Sequence, residues 1–171
     1  MENQFKAGDY IVYDTYGICE ITEVKKMTLV SGTPFQPYYV LRPLSAGHST
    51  YYVPCENEAL CNKMRLPMDK EEIDALLSES ISTSVKWIEN RQLRSEKARE
   101  IIRNGVTPDL IALIRCLYER KLSLKENGKA LSATDESLLS SCEKLVSEEL
   151  SFSLNIPIDE VAGYIKDCIK V

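Results

Sequence analysis

Arg65-Leu66-Pro67-Met68-Asp69 divides the chain into two textures. Before it, apolar residues sit in short β-branched and aromatic runs broken by turn residues. After it, they recur every three and four positions, the spacing of one helix face. Pro67 disfavours helical geometry at Leu66, and Asp69 offers a carboxylate that can cap a helix starting just beyond it. Reading outward from this point predicts an α+β chain, with a sheet domain at residues 1–66 and a helical domain at 67–171.

Upstream, Tyr10-Ile11-Val12-Tyr13 is a strand signal and Asp14-Thr15-Tyr16-Gly17 a turn. Ile18 to Val24 alternates imperfectly, and Ser31-Gly32-Thr33-Pro34 turns the chain again. Tyr38-Tyr39-Val40-Leu41-Arg42 and Ser49-Thr50-Tyr51-Tyr52-Val53-Pro54 follow. Four or five short antiparallel strands predict a small curled sheet or barrel with no helix of normal length. One tyrosine of each pair, Tyr38-Tyr39 and Tyr51-Tyr52, faces outward by alternation and is an interface candidate.

Downstream, about five helices are expected. The first runs from an Asp69 cap to about Ser78 with Ile73, Leu76 and Leu77 on its apolar face. The second is preceded by Thr83 or Ser84, includes Lys86-Trp87-Ile88-Glu89-Asn90-Arg91-Gln92-Leu93-Arg94, and stops near Asn104-Gly105. Thr107-Pro108-Asp109 restarts the chain as N-cap, first-turn proline and first-turn acid, for a helix to about Lys121. Ser132-Ala133-Thr134-Asp135 resembles a capping box, and Pro157 opens the last helix.

The 171 residues carry a net charge of −5, but the signs are unevenly placed. Residues 86–129 hold eleven basic and six acidic side chains, whereas 130–171 hold three basic and eight acidic. Solvated helix faces account for most such runs; a local phosphate footprint is the sharper alternative. Six cysteines stand singly with no CxxC pair, and His48 is the one histidine. That spacing builds neither zinc site nor disulfide framework, so no metal or cofactor is expected and buried free thiols are. No catalytic signature appears, so the chain does not read as an enzyme. Glu71-Glu72 and Glu148-Glu149 diverge by about 100° on a helix and read as solvated surface. With no apolar h-region at Met1–Lys6 and no run of membrane-spanning length, a cytoplasmic protein without membrane association is expected.

Trp87 is the one tryptophan. At helical spacing it would project beside Arg91 and Arg94, and a flat apolar group between guanidinium groups suits a duplex: arginines hold phosphates while the wedge enters a base step. The commoner alternative is a half-buried tryptophan with arginine stems packed over it.

Phe5-Lys6-Ala7-Gly8-Asp9-Tyr10-Ile11-Val12-Tyr13, the turn at Gly17, Val53-Pro54 with Glu56-Asn57 after it, and Trp87 leading Arg91, Leu93, Glu96, Lys97 and Gly105 together resemble the CarD family of bacterial transcription regulators. Ser132-Ala133-Thr134 and Glu148-Glu149-Leu150 fit the same pattern, and the N-terminal part is similar to the polymerase-interacting domain of transcription-repair coupling factors. The resemblance implies a Tudor-like or SH3-like barrel that docks on the β subunit of RNA polymerase. It also implies a helical domain that contacts promoter DNA in the minor groove at the upstream bubble edge, with low sequence specificity and the protein at the nucleoid. Carried over residue by residue, Trp87 becomes the wedge with Lys86, Arg91, Arg94 and Lys97 around it. Where the family commonly places arginines on the polymerase-facing strands, this sequence has Met27 and Tyr52, with Lys25, Lys26 and Arg42 nearby. Ile88-Glu89-Asn90 follow the tryptophan where the family commonly has basic residues, and a carboxylate at Glu89 opposes phosphate unless it faces away.

Overall fold

The computed structural model describes residues 4–45, 47–78 and 85–169, which form two units, Met1–Pro67 and Met68–Val171. The first unit holds β1 (Tyr10–Tyr13), β2 (Ile18–Met27), β3 (Gln36–Pro43), β4 (Tyr51–Pro54), the one-turn helix α1 (Glu58–Cys61) and β5 (Met64–Arg65). All pairings are antiparallel in the order β4-β3-β2-β1-β5. Asp14 and Gly17 both take positive φ, 48° and 75°, which closes the β1–β2 hairpin tightly. A short polar side chain tolerates that conformation at Asp14 and glycine adopts it freely. Lys63 then ties the hairpin to β5, its Nζ 2.8 Å from Asp14 Oδ2.

The register between β2 and β3 shifts between Ile21 and Glu23. The extra residue, Thr22, donates its hydroxyl to the Val40 carbonyl at 3.2 Å, and a bulge of this kind bends and twists a strand. The sheet curls over Ile11, Cys19, Ile21, Tyr39, Leu41 and Val53. It does not close into the expected barrel: β4 and β5 stand at opposite edges and do not pair. With only four and two residues, these edge strands are too short to complete the ladder around the core.

The second unit holds α2 (Lys70–Ser78), α3 (Arg91–Asn104), α4 (Thr107–Glu126), α5 (Ala133–Leu154), a 3-10 turn (Ile158–Glu160) and α6 (Val161–Ile169). Asp69 and Glu72 form a reciprocal capping box at α2, each carboxylate accepting the other's backbone N–H at 2.8 and 2.9 Å. Gly105, at φ 65°, ends α3. Ser132 caps α5 by accepting the Asp135 N–H at 3.2 Å. Along α5, Leu138, Leu139, Cys142, Val146 and Leu150 fall on one buried stripe, against which α2, α3, α4 and α6 all pack.

Three sequence expectations change here. The tryptophan helix starts four residues later than periodicity suggested: Asn90 is its N-cap, accepting the Leu93 N–H at 2.9 Å, so Trp87 precedes the helix. Thr83 and Ser84 lie outside the described residues. Thr107 is the first residue of α4 and Val106 its cap, because the Thr107 hydroxyl is turned inward to donate to Glu149 Oε2 at 2.7 Å. Glu149, expected at the surface, is buried; it also accepts the Met68 N–H at 3.0 Å. A buried carboxylate needs such donors, and these two pin the start of the unit and α4 to α5. Of the cysteines, all free, Cys19 and Cys142 are buried while the other four are partly so.

Candidate functional site

Two groups of sequence-nominated residues fall in the two units. In the sheet, Lys25 lies opposite Tyr38, Met27 opposite Gln36, Glu20 opposite Arg42, and Val40 opposite Tyr52. Directly opposed residues share a face, as do residues two apart on one strand. Lys25, Met27, Arg42 and Tyr52 therefore lie together on the face away from the core, around Tyr38 and Val40. Lys26, opposite Pro37, falls on the other face and is not part of this group.

The centre of that face is apolar and its charges are balanced. Tyr52 is 41% exposed beside the buried Tyr38 and Val40. Lys25 pairs with Glu23 at 2.5 Å, and Arg42 pairs with Glu20 across the β2–β3 ladder. The Glu23 hydrogen bond holds the Lys25 ammonium above the ordinary lysine range. Exposed pairs of this kind contribute little stability, about 0–1 kcal/mol. Their effect is to fix where charge stands around a tyrosine anchor.

In the helical unit, Trp87 packs half-buried against the core. Its ring is held by two guanidinium groups: Arg94 Cζ stands 4.0 Å and Arg120 Cζ 4.9 Å from the centroid. Arg94 forks onto Asp135, Nε to Oδ1 and Nη2 to Oδ2, both at 2.9 Å. Its Nη1 donates to the carbonyls of Ile88 at 2.6 Å and Glu89 at 3.2 Å. The pair is buried, with side chains 11% and 3% exposed. Asp135 also accepts from the Ser132 hydroxyl at 2.7 Å. These contacts, Arg94 foremost, hold the Asp135 carboxyl below the usual aspartate range against the opposing effect of burial.

Arg94 therefore fastens the lead-in segment and Trp87 onto α5, and every one of its nitrogens faces protein. Arg91 stands at the surface, its Nη2 donating to Thr134 Oγ1 at 3.0 Å. Lys86 is exposed, and Lys97 pairs with Glu100 at 3.1 Å on open surface. Glu89 projects into solvent, its Oε2 3.9 Å from Arg120 Nη2. The Trp87 Nε1 is buried and makes no hydrogen bond among the described residues. Behind the ring is a cavity of about 30 Å³ bordered by Ile101, Leu113, Leu117 and Leu138.

Asp135 and Arg120 are the members of this cluster that sequence reasoning missed. Asp135 was legible as a helix cap, but nothing local couples it to a residue 41 positions away. Arg120 was counted among the basic residues without a signal that it meets Trp87.

The first unit is thus a small antiparallel sheet module offering a tyrosine-centred face. Residues 5–67 match the family described as the CarD-like/TRCF RID domain, the RNA polymerase-interacting domain of such proteins. No curated protein matches the chain. Among the described residues, no helix is long and apolar enough to cross a membrane, and no group of His, Cys, Asp and Glu could hold a metal ion.

Proposed function

We propose that this protein is a transcription regulator that docks on the β subunit lobe of RNA polymerase through the β2–β3–β4 face. In the same proposal, its helical unit contacts promoter DNA at the upstream bubble edge and stabilises the open complex. The match of residues 5–67 to the polymerase-interacting domain carries the first half. Tyr52 is the anchor on this reading: aromatic side chains dominate interface energetics, and the flanking Glu20–Arg42 and Glu23–Lys25 pairs set orientation. β4 is also an edge of the sheet, with backbone groups open to a partner.

The DNA half is supported by the Trp87 cluster. Trp87 is only half-buried, so part of its ring remains open to another surface. Arg91, Lys86 and Lys97 are the exposed cations near the ring that can approach phosphate, Arg91 and Lys97 by exchanging their surface contacts with Thr134 and Glu100, and Arg94 acts as the positioning residue behind the ring. Tethering to polymerase raises the effective concentration of a weak DNA contact, so modest basicity suffices. Open-complex lifetime at a promoter tests this. Trp87→Phe should shorten it while polymerase affinity stays constant; an unchanged lifetime and footprint overturn the DNA half.

The buried Arg94–Asp135 pair favours a second reading, a polymerase-bound adaptor without DNA contact, in which Trp87 serves only to pack the lead-in segment. In that case Arg91→Ala and Lys97→Ala leave the footprint and its salt dependence unchanged.

A further inference from the structure

Between α4 and α6 lies a groove of about 320 Å³ that neither half of the proposed function uses. Its floor is apolar, made by Tyr118, Leu122 and Ile165, and its rim is cationic, with Arg115, Lys121, Lys125 and Lys166. Among the described residues, no acidic side chain lines it. Arg115 is paired with Glu119 at 2.9 Å and Lys121 with Glu136 at 3.1 Å. Lys125 and Lys166 have no ion-pair partner among the described residues, and Lys166 Nζ sits 5.2 Å from the Tyr118 ring centroid. The Tyr118 hydroxyl donates to Glu143, which draws its polar end out of the groove and leaves the ring as floor. The surface is unusual for a solvated helix face: Leu122 is 43% exposed in the middle of four cations.

We propose that this groove is a binding site for a small amphiphilic anion, a compact apolar body carrying one carboxylate, sulfonate or phosphate group. Its volume lies at the small end of the range for small-molecule sites, roughly 300–1,000 Å³. The apolar body covers Leu122 and the Tyr118 ring, removing them from water, and rests on the already buried Ile165. The anionic group sits between Lys125 and Lys166, the two rim cations without a carboxylate partner among the described residues, as a charge-assisted hydrogen-bonding partner. A bare inorganic anion leaves the floor wet, and a duplex backbone presents no apolar body to fill a recess of this size. The ligand class follows from the combination of floor and rim.

The full-length chain titrated with 1-anilinonaphthalene-8-sulfonate tests this by fluorescence and calorimetry, at low and high salt. One saturable site is expected on the folded protein, weakened by salt. The exposed substitutions Lys125→Glu and Leu122→Glu should each weaken it about tenfold or more, with melting temperature and helicity unchanged. The uncharged analogue N-phenyl-1-naphthylamine should bind about tenfold more weakly at the same site. Equal affinity of wild type and both variants overturns the assignment of the site, and equal affinity for the neutral analogue overturns the anion requirement. Displacement of the dye by duplex DNA but not by an excess of a second aromatic sulfonate identifies the groove as a phosphodiester surface and likewise overturns the proposal.

Discussion

Trp87 is held by cations as much as by apolar neighbours, and its truncation should cost an intermediate amount. Removing a fully buried large aromatic costs about 3–5 kcal/mol and an exposed substitution about 0.5 kcal/mol or less; Trp87→Ala is expected near 2 kcal/mol by chemical denaturation. The Arg94–Asp135 pair is the larger liability. Arg94→Ala strands a buried carboxylate and should destabilise by about 3–5 kcal/mol, whereas Arg94→Met with Asp135→Leu recovers much of the loss. The same pair sets an acid dependence. Folding lowers the Asp135 pKa, chiefly through Arg94, so the pair contributes its stability above the unfolded aspartate value of about 3.9 and loses it as pH falls through the lower folded value. Denaturation midpoints measured across that window should fall steeply for wild type and less so for Asp135→Asn. None of this was readable from Arg94 alone, which in sequence looked like a phosphate ligand about two helical turns from Trp87. The lead-in segment before Asn90 turns the ring onto the arginine instead of placing both on one helix face.

Elements announced themselves where their ends carry local chemistry. Asp69, Gly105 and Ser132 each mark a helix end through contacts within a few residues, and the periodic strands needed no more than alternation. Ends that answer to distant partners were illegible. Thr107 has the identity of a cap but donates to Glu149 on α5, and Asn90 sits in a run with no glycine or proline to interrupt the helical pattern. Two substitutions follow from these ends. Gly105→Ala, at φ 65°, should cost about 1 kcal/mol in thermal stability. Thr107→Val, nearly isosteric but without the donor to buried Glu149, should cost about 1.5–3 kcal/mol.

At the scale of the whole molecule, the sheet face and the tryptophan cluster belong to different compact units with separate hydrophobic cores. Loss of polymerase binding should therefore be separable from loss of helical stability. In the full chain, Tyr52→Ala is expected to weaken polymerase binding about tenfold or more by surface plasmon resonance. Stability should shift by about 0.5 kcal/mol or less, because the ring is already partly in solvent. The open sheet shows the limit of sequence pattern at this scale: alternation predicts strands and a curl, but closure depends on how far β4 and β5 extend, which no periodicity records.

The chromophores are partitioned in the same way. Seven of the nine tyrosines precede Pro67 and the single tryptophan follows it. Red-edge fluorescence thus watches the helical unit alone, while ultraviolet absorbance of tyrosine is weighted toward the sheet. Two cores give no guarantee of one cooperative transition, and melting curves from the two signals will separate wherever the units unfold independently. A free energy extracted from tryptophan emission describes residues beyond Pro67 only. The variant that removes Trp87 also extinguishes that reporter, so its stability has to be followed by the circular dichroism of the helices it once helped to hold.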